Sequence, residues 1–240
     1  MSPMPVAPSN SSSAPAPSSL VAKLFDVLAS PGEVFDEVIA APPRLGNWLV
    51  PTLLAVLASL ILLRAMSNEG GPVAAMPQVG EAQAGTLDTA AIQPDPGSVG
   101  SQKLSALITC AGAFAGTFWS AFLLWFIGRA LLRIRFSYLK TVEVAALAGM
   151  ILALGAIVTA LLIGAVGDPA ARPALSVFVR HLPTSDPVRL LLDTFNFFHL
   201  WAITVLAIGL SRLSRVSLKE SAFWVFGYWL VARLALILLA

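Results

Sequence analysis

Three polar residues recur at a spacing of three within an apolar stretch near the carboxyl end of the chain: Asp193, Asn196 and His199. On a helix this spacing places the three side chains within an arc of about 120°, so they would share one face. An ionisable side chain is costly against lipid, so this face should point into a helix bundle. It could hold a proton or a cation, with His199 titrating near neutrality, or it could serve only as polar contacts between helices.

Another charged residue, Arg233, lies inside the apolar stretch that ends the chain. On two antiparallel helices its depth would match that of Asp193, and each charge alone would be uncompensated near lipid. We therefore predict an ion pair between Asp193 and Arg233. The alternative is that the long Arg233 side chain reaches outward to the membrane surface.

Glu143 opens a third apolar stretch. Because a helix N-terminus favours a carboxylate, we predict that Glu143 has a structural capping role there.

Small residues at a spacing of four occupy two of the apolar stretches. They are Gly112 and Gly116 in one stretch and Ala156, Ala160 and Gly164 in the other. Such residues let helices approach closely, either within one monomer or between two copies.

The sequence contains no signature of a known enzyme class. The motifs H-E-x-x-H, G-x-S-x-G, the P-loop and a paired Cys-x-x-Cys are all absent. His181 and His199 are the only histidines, and His181 lies in a predicted loop, so a shared metal site is not expected. We therefore predict a protein that is not an enzyme and that has no cofactor and no metal.

The composition defines the class of protein that must position these residues. The chain is 57% hydrophobic and only 12% charged, and its mean hydropathy is +0.82. This composition excludes a soluble enzyme and a wholly disordered chain, and it indicates an integral membrane protein. The net charge of +2 is too small to indicate a nucleic-acid partner.

Five apolar stretches approach the length of about 20 residues that a spanning helix needs. They cover approximately residues 47–65, 104–127, 141–166, 190–210 and 221–240. The predicted fold class is all-α: a polytopic integral membrane protein whose membrane domain, 46–240, has five transmembrane helices. Residues 66–101, rich in Gly, Pro, Ala and Gln, are predicted to form a flexible outer loop. The sequence has no internal repeat, which disfavours a conventional transporter.

The residues before the first span form two predicted segments. Residues 1–19, mostly Ser, Pro and Ala, should be a disordered tail, and residues 20–45 a cytoplasmic amphipathic segment. Within it, Ser30 would cap a helix that starts at Pro31, with Glu33 completing a capping box. The two short helices of this segment would lie on the membrane surface or pack beneath the bundle.

Positive charge is densest in the two short loops at residues 128–140 and 211–220. Because cytoplasmic loops carry an excess of Lys and Arg, we predict a cytoplasmic N-terminus and an outer C-terminus.

Two stretches carry a resemblance to a known family. The first runs from Ser30 to Phe35 and is followed by Pro42-Pro43 and a span, and the second runs from Phe195 to Ser217. The chain resembles the Yip-one domain family, five-span membrane proteins named for interaction with Ypt/Rab GTPases, and in particular its bacterial branch. The resemblance covers roughly residues 25 to 240. It implies a five-helix membrane fold, a cytoplasmic N-terminus and complexes with other membrane proteins, here in a bacterial inner (plasma) membrane.

The eukaryotic members are expected to have a long cytosolic N-terminal region with an Asp-Leu-Tyr-Gly-Pro-like motif, which this sequence lacks. GTPase binding is therefore assigned to no residue. The first function hypothesis is a non-enzymatic membrane scaffold, adaptor or membrane-organising protein, whose partners are the lipid bilayer and other membrane proteins or a second copy. The alternative is a small channel, lipid scramblase or ion-coupled carrier that uses the face of Asp193, Asn196 and His199.

Overall fold

The computed structural model describes residues 18–68, 99–179, 181–183 and 186–239. Within them the helices are α1 Leu20–Ala29, α2 Pro31–Ala40, α3 Leu45–Asn68, α4 Val99–Phe126, α5 Tyr138–Val166, α6 Pro187–Thr194, α7 Phe197–Ser214 and α8 Leu218–Leu239. A π-helical turn, Ile127–Leu131, continues α4, and a 3-10 turn, Leu175–Val179, follows α5. The predicted all-α polytopic fold is confirmed.

Four of the described helices are long and apolar enough to cross a membrane: Leu45–Asn68, Gln102–Leu131, Tyr138–Val166 and Phe197–Ser214. They correspond to the first four predicted spans. The fifth predicted span coincides with α8, which is not among these four, so a fifth crossing stays a prediction. The predicted loop at 66–101 is shorter than expected at both ends, because α3 continues through Asn68 and α4 begins at Val99.

Residues 1–17 of the predicted tail and residues 69–98 of the predicted loop lie outside the described residues.

The fourth span, predicted at 190–210, begins later than predicted. The chain forms the short helix α6 up to Thr194, breaks at Phe195 and Asn196, and begins α7 only at Phe197. The backbone of Asn196 is extended (φ −83°, ψ 132°) because it pairs with Ala174 in an antiparallel bridge. Asp193 and His199 therefore belong to different helices, and the predicted common face does not exist.

Helix α5 lies at the centre of the bundle. It contacts α1, α2, α3, α4 and α7, and 56% of its apolar window is buried inside the protein, against 22% for that of α4. Its alanine-rich face packs on α3, where Ala156 and Ala160 join Ala55 and Ala58 in one buried cluster. These two small residues thus serve packing within the monomer. Gly164, the third residue of that pattern, is exposed.

On α4, Gly116 is buried and Gly112 is half-buried.

Helices α1 and α2 pack beneath the bundle, where α5 begins and α7 ends; we call this the inner end. Val27, Phe35 and Val38 are fully buried there against α5 and α7. The predicted start of α2 at Pro31 is confirmed. The predicted capping box is wrong, because Ser30 makes no side-chain cap hydrogen bond and its N–H instead closes α1 by donating to the Asp26 carbonyl oxygen.

Candidate functional site

The break between α6 and α7 positions the candidate residues at the opposite, outer end of the bundle. The segment after α5 pairs with the break: the Leu175 N–H donates to the Phe195 carbonyl oxygen (3.4 Å), and the Phe197 N–H donates to that of Pro173 (3.2 Å). These bonds satisfy backbone groups that the interrupted helix would otherwise leave unpaired. They also bring Arg172, the neighbour of Pro173, beside the first turn of α7.

Asp193 is half-buried at the end of α6 and accepts a hydrogen bond from the Ser176 hydroxyl. The three ion pairs among the described residues include neither Asp193 nor Arg233. The predicted Asp193–Arg233 ion pair is therefore wrong. The prediction assumed one continuous helix, whereas the break directs Asp193 toward the 3-10 turn that follows α5.

Asn196 is the N-cap of α7, and its side-chain oxygen accepts a hydrogen bond from the Phe198 N–H (2.9 Å). An Asn at this position satisfies a backbone donor that the helix cannot pair itself. Its role is thus local and structural.

His199 lies in the first turn of α7, and its Nδ1 is buried with no hydrogen-bond partner among the residues that the structure describes. The charged groups that act on His199 electrostatically are the guanidinium groups of Arg233 and Arg172. The structure therefore brings together His199 and Arg233 of the predicted site, and it adds Arg172.

A face of α8 completes this site. Trp229 and Arg233 are one turn apart and share that face, and the Trp229 ring contacts the Phe195 ring edge-to-face at a centroid distance of 6.3 Å. The indole Nε1 of Trp229 and the Nε of Arg233 are both buried, and neither has a hydrogen-bond partner within the described ranges. We refer to His199, Trp229, Arg233 and Arg172 as the outer site. Neither Trp229 nor Arg172 was predicted from the sequence to belong to this site, since each joins it only through the packing of α7 and α8 or the pairing at the break.

A glycine of α5 allows the first turn of α7, which carries His199, to pack closely on α5. A Cβ at Gly155 would lie 2.7 Å from the Cβ of Phe198, so only glycine allows the first turn of α7 to approach α5 this closely. His199, the next residue after Phe198, is held at this level.

The electrostatics of the outer site favour an anion. The N-terminus of α7 carries a partial positive charge, and the two guanidinium groups add to it. The two guanidinium groups would repel a bound cation, so the hypothesis of a cation site has no support from this arrangement. Among the described residues, no group of three His, Cys, Asp or Glu side chains could hold a metal ion.

A second polar cluster lies at the inner end. The buried Glu143 carboxylate accepts hydrogen bonds from the Arg44 N–H (2.7 Å), from Asn47 Nδ2 (3.0 Å) and from Lys140 Nζ (2.6 Å). The Lys140 ammonium also donates to the Val38 carbonyl oxygen (2.7 Å). We refer to Arg44, Asn47, Lys140 and Glu143 as the inner network. It ties α2 and the start of α3 to α5.

The prediction that Glu143 caps its own helix is wrong. Glu143 lies in the second turn of α5, and its carboxylate meets the N–H of Arg44, the residue before α3 begins. It thus stabilises the N-terminus of α3 instead of its own helix. The spacing of three between Lys140 and Glu143 was a readable signal for their pairing, but the contacts with α2 and α3 depend on the fold.

A neighbouring ion pair fastens α1 to α2. Lys23, which is buried, pairs with Glu37 at 3.0 Å, and Glu37 also accepts hydrogen bonds from Ser18. Partial burial acts to raise the pKa of Glu37, but the hydrogen bonds from Ser18 and Lys23 and the charge of Lys23 outweigh it, so the pKa lies below its usual value.

A helical bundle with several helices able to cross a membrane defines the chain as a polytopic integral membrane protein. The sequence model of the Yip1 domain matches residues 25–240, and the chain belongs to this family. The family resemblance read from the sequence is thereby confirmed, while the bacterial branch stays a prediction. No curated protein and no solved structure matches the chain.

Proposed function

We propose that this Yip1 family member is a non-enzymatic membrane scaffold or adaptor that works by associating with other membrane proteins or with a second copy of itself. In this proposal it resides in a bacterial inner (plasma) membrane with its N-terminus in the cytoplasm. The observation that carries the proposal is the exposure of α4: only 22% of its apolar window is buried inside the protein.

The exposed surface of the second half of α4 is aromatic. Trp119, Phe122 and Phe126 are exposed, and their rings contact one another in series, at 5.6 Å between Trp119 and Phe122 and 6.2 Å between Phe122 and Phe126. Aromatic residues are enriched where proteins meet because they offer a large contact area at a small cost in conformational entropy. We refer to these three residues as the α4 aromatic face.

The exposed face of α3 offers the contrast. In the middle of α3 the exposed large hydrophobic residues, Leu53, Leu57 and Ile61, recur every four positions and are all aliphatic, as lipid contact alone requires. The difference between α3 and α4 supports a protein partner at α4 and lipid at α3.

Site-specific crosslinking in native membranes tests this proposal. A photoreactive amino acid at Phe122 should yield one discrete protein adduct, identified by mass spectrometry as a second copy or as a defined membrane protein. The same amino acid at Leu57 serves as the matched control and should yield lipid adducts only. Equal patterns at the two positions, or lipid adducts alone at Phe122, would contradict the proposal.

A conservative variant sharpens the test. Trp119→Leu/Phe122→Leu keeps the face apolar, so insertion should be unchanged, but the partner should no longer copurify in native-lipid nanodiscs. Leu53→Ile/Leu57→Ile should retain it.

A second candidate function is a small channel, lipid scramblase or ion-coupled carrier, favoured by the unpartnered polar atoms of the outer site. Flux and lipid scrambling in liposomes, compared between wild type, Asp193→Asn and His199→Ala, test it. Loss of flux with the folded protein retained would favour this candidate over the scaffold.

A further inference from the structure

The outer site contains polar nitrogens that have no hydrogen-bond partner among the described residues. Three buried polar atoms without a partner in the described part of the chain belong to this site: Nδ1 of His199, Nε1 of Trp229 and Nε of Arg233. In folded proteins the large majority of buried polar atoms are hydrogen-bonded, so three such atoms at one place require an explanation. Two of the three, the indole and guanidinium N–H groups, can only donate.

The charges around these donors have one predominant sign. Arg233 and Arg172 both act on His199, and the N-terminus of α7 adds a partial positive charge. The nearby carboxylate of Asp193 accepts the Ser176 hydroxyl and forms no ion pair among the described residues. The site therefore has an excess of positive charge and of donors, which is the reverse of what a proton or metal-cation site requires.

A phosphate group matches this donor set. Its several acceptor oxygens can receive N–H groups from different directions, and arginine is suited to phosphate because its planar guanidinium donates two bonds at once. Arg233 lies six residues before the end of α8 at Leu239, about 9 Å along the helix, and His199 lies in the first turn of α7. Both residues thus lie close to the ends of their helices, where headgroups meet a transmembrane bundle.

We propose that the outer site binds a phosphate group, carried either by a phospholipid headgroup of the outer leaflet or by a small soluble phosphate ester. Arg233 and Trp229 donate to its oxygens, and Arg172 and the N-terminus of α7 neutralise its charge. This site is separate from the α4 aromatic face and does not depend on the scaffold function.

Native mass spectrometry of the full-length protein with added phosphatidylglycerol tests the proposal. Wild type should retain one lipid molecule tightly. Arg233→Gln should weaken its binding roughly tenfold to a hundredfold, because a charge-assisted donor is lost. The matched control is Arg64→Gln, which removes an exposed arginine near the end of α3, outside the site, and should bind as wild type does.

A second variant keeps the test valid if Arg233→Gln does not fold. Trp229→Phe retains a ring against Phe195 but lacks the N–H, so it should weaken binding by about fivefold. Thermal denaturation of each variant establishes that it is folded.

The two sources of phosphate are distinguished in nanodiscs made of a phosphate-free glycolipid. Binding of glycerol 3-phosphate or inorganic phosphate there, followed by calorimetry, identifies a soluble ligand, whereas binding of phosphatidylglycerol alone identifies a lipid headgroup. Either result supports the proposal. Binding of neither, or an equal loss in Arg64→Gln and Arg233→Gln, would overturn it.

Discussion

At the inner end of the bundle, the Glu143 carboxylate accepts hydrogen bonds from Arg44, Asn47 and Lys140, whereas at the outer end Trp229 and Arg233 bury nitrogens for which the described part of the chain offers no acceptor. The inner network lies on the start of α3 and on α5, and the outer site lies mainly on α7 and α8; both contain charged side chains. The inner network has opposite charges in contact, while the outer site has positive charges and donors.

This difference separates structural polar groups from groups available to a ligand. A buried cluster whose members satisfy one another holds helices together and has no capacity left for binding. A cluster with unpaired donors adds little to the fold of the empty protein and gains its partners from outside. The four predictions below test this distinction from the largest expected effect to the smallest.

The protein should lose stability when one member of the inner network loses its charge. Glu143→Gln leaves the Lys140 ammonium buried without a counter-charge, which costs about 3 kcal/mol or more of stability. The free energy of unfolding in nanodiscs, obtained from thermal or denaturant titration, measures this loss.

A double variant checks the cause. Lys140→Met/Glu143→Gln removes the unpaired ammonium as well, so it should be more stable than Glu143→Gln alone. If the double variant is instead the less stable of the two, the ion pair does not account for the loss.

Close packing at the inner end should not tolerate an added methyl group at Gly209. A Cβ there would lie 2.4 Å from Cγ1 of Val144 and 3.3 Å from the Phe35 ring, and we expect a loss of about 1–3 kcal/mol. Gly149→Ala on α5 is the control, because a Cβ there meets nothing within 4 Å and should leave stability unchanged or raised. Equal melting temperatures for the two variants would contradict the packing of α7 on α5 and α2.

The attachment of α1 to α2 should weaken in acid. Although burial acts to raise it, the pKa of Glu37 is lowered in the folded protein by Ser18 and Lys23, so its carboxylate stabilises the fold above its ordinary pKa. This contribution is lost as the pH falls through the lowered pKa. The protection factors of the α1 amides, which correct for the slower intrinsic exchange in acid, should fall over that range in wild type.

Glu37→Gln should have lower α1 protection factors at neutral pH, and these should change little further on acidification. An unaltered acid dependence in this variant would assign the effect to another group.

The surface ion pair at the inner end should contribute least to stability. Arg212 and Asp36 are 3.2 Å apart, and each side chain is about half exposed. Asp36→Asn should therefore change stability by less than about 1 kcal/mol, and added salt should remove the difference. Melting temperatures at low and high salt, compared with wild type, measure this. A loss that persists at high salt would show that Asp36 contributes through something other than this ion pair.

The apolar stretches predicted the helices well because length and hydropathy act within one segment. The start of α7 could not be predicted in the same way, since the break depends on the pairing of Asn196 with Ala174, a contact distant in sequence. The spacing of Asp193, Asn196 and His199 suggested a common face only for an unbroken helix. Asn196 itself was the available signal, because Asn is a preferred N-cap.

The inner network shows the same limit. Lys140 and Glu143 stand at a spacing that brings side chains together on any helix. The contact with Asn47 arises only when α3 packs on α5, and the contact with the Val38 carbonyl oxygen only when α2 folds beneath the bundle. Local pairing was readable from the sequence, and the tertiary role of the pair was not.

The most direct test compares thermal denaturation of wild type, Glu143→Gln and Arg233→Gln in phosphate-free glycolipid nanodiscs, with and without phosphatidylglycerol. Without it, Glu143→Gln should melt roughly 10 °C below wild type and Arg233→Gln should melt with wild type. Phosphatidylglycerol should then raise the melting temperature of wild type and Glu143→Gln but not of Arg233→Gln. If Arg233→Gln is as unstable as Glu143→Gln without phosphatidylglycerol, the outer site is structural, and the distinction between the two ends is wrong.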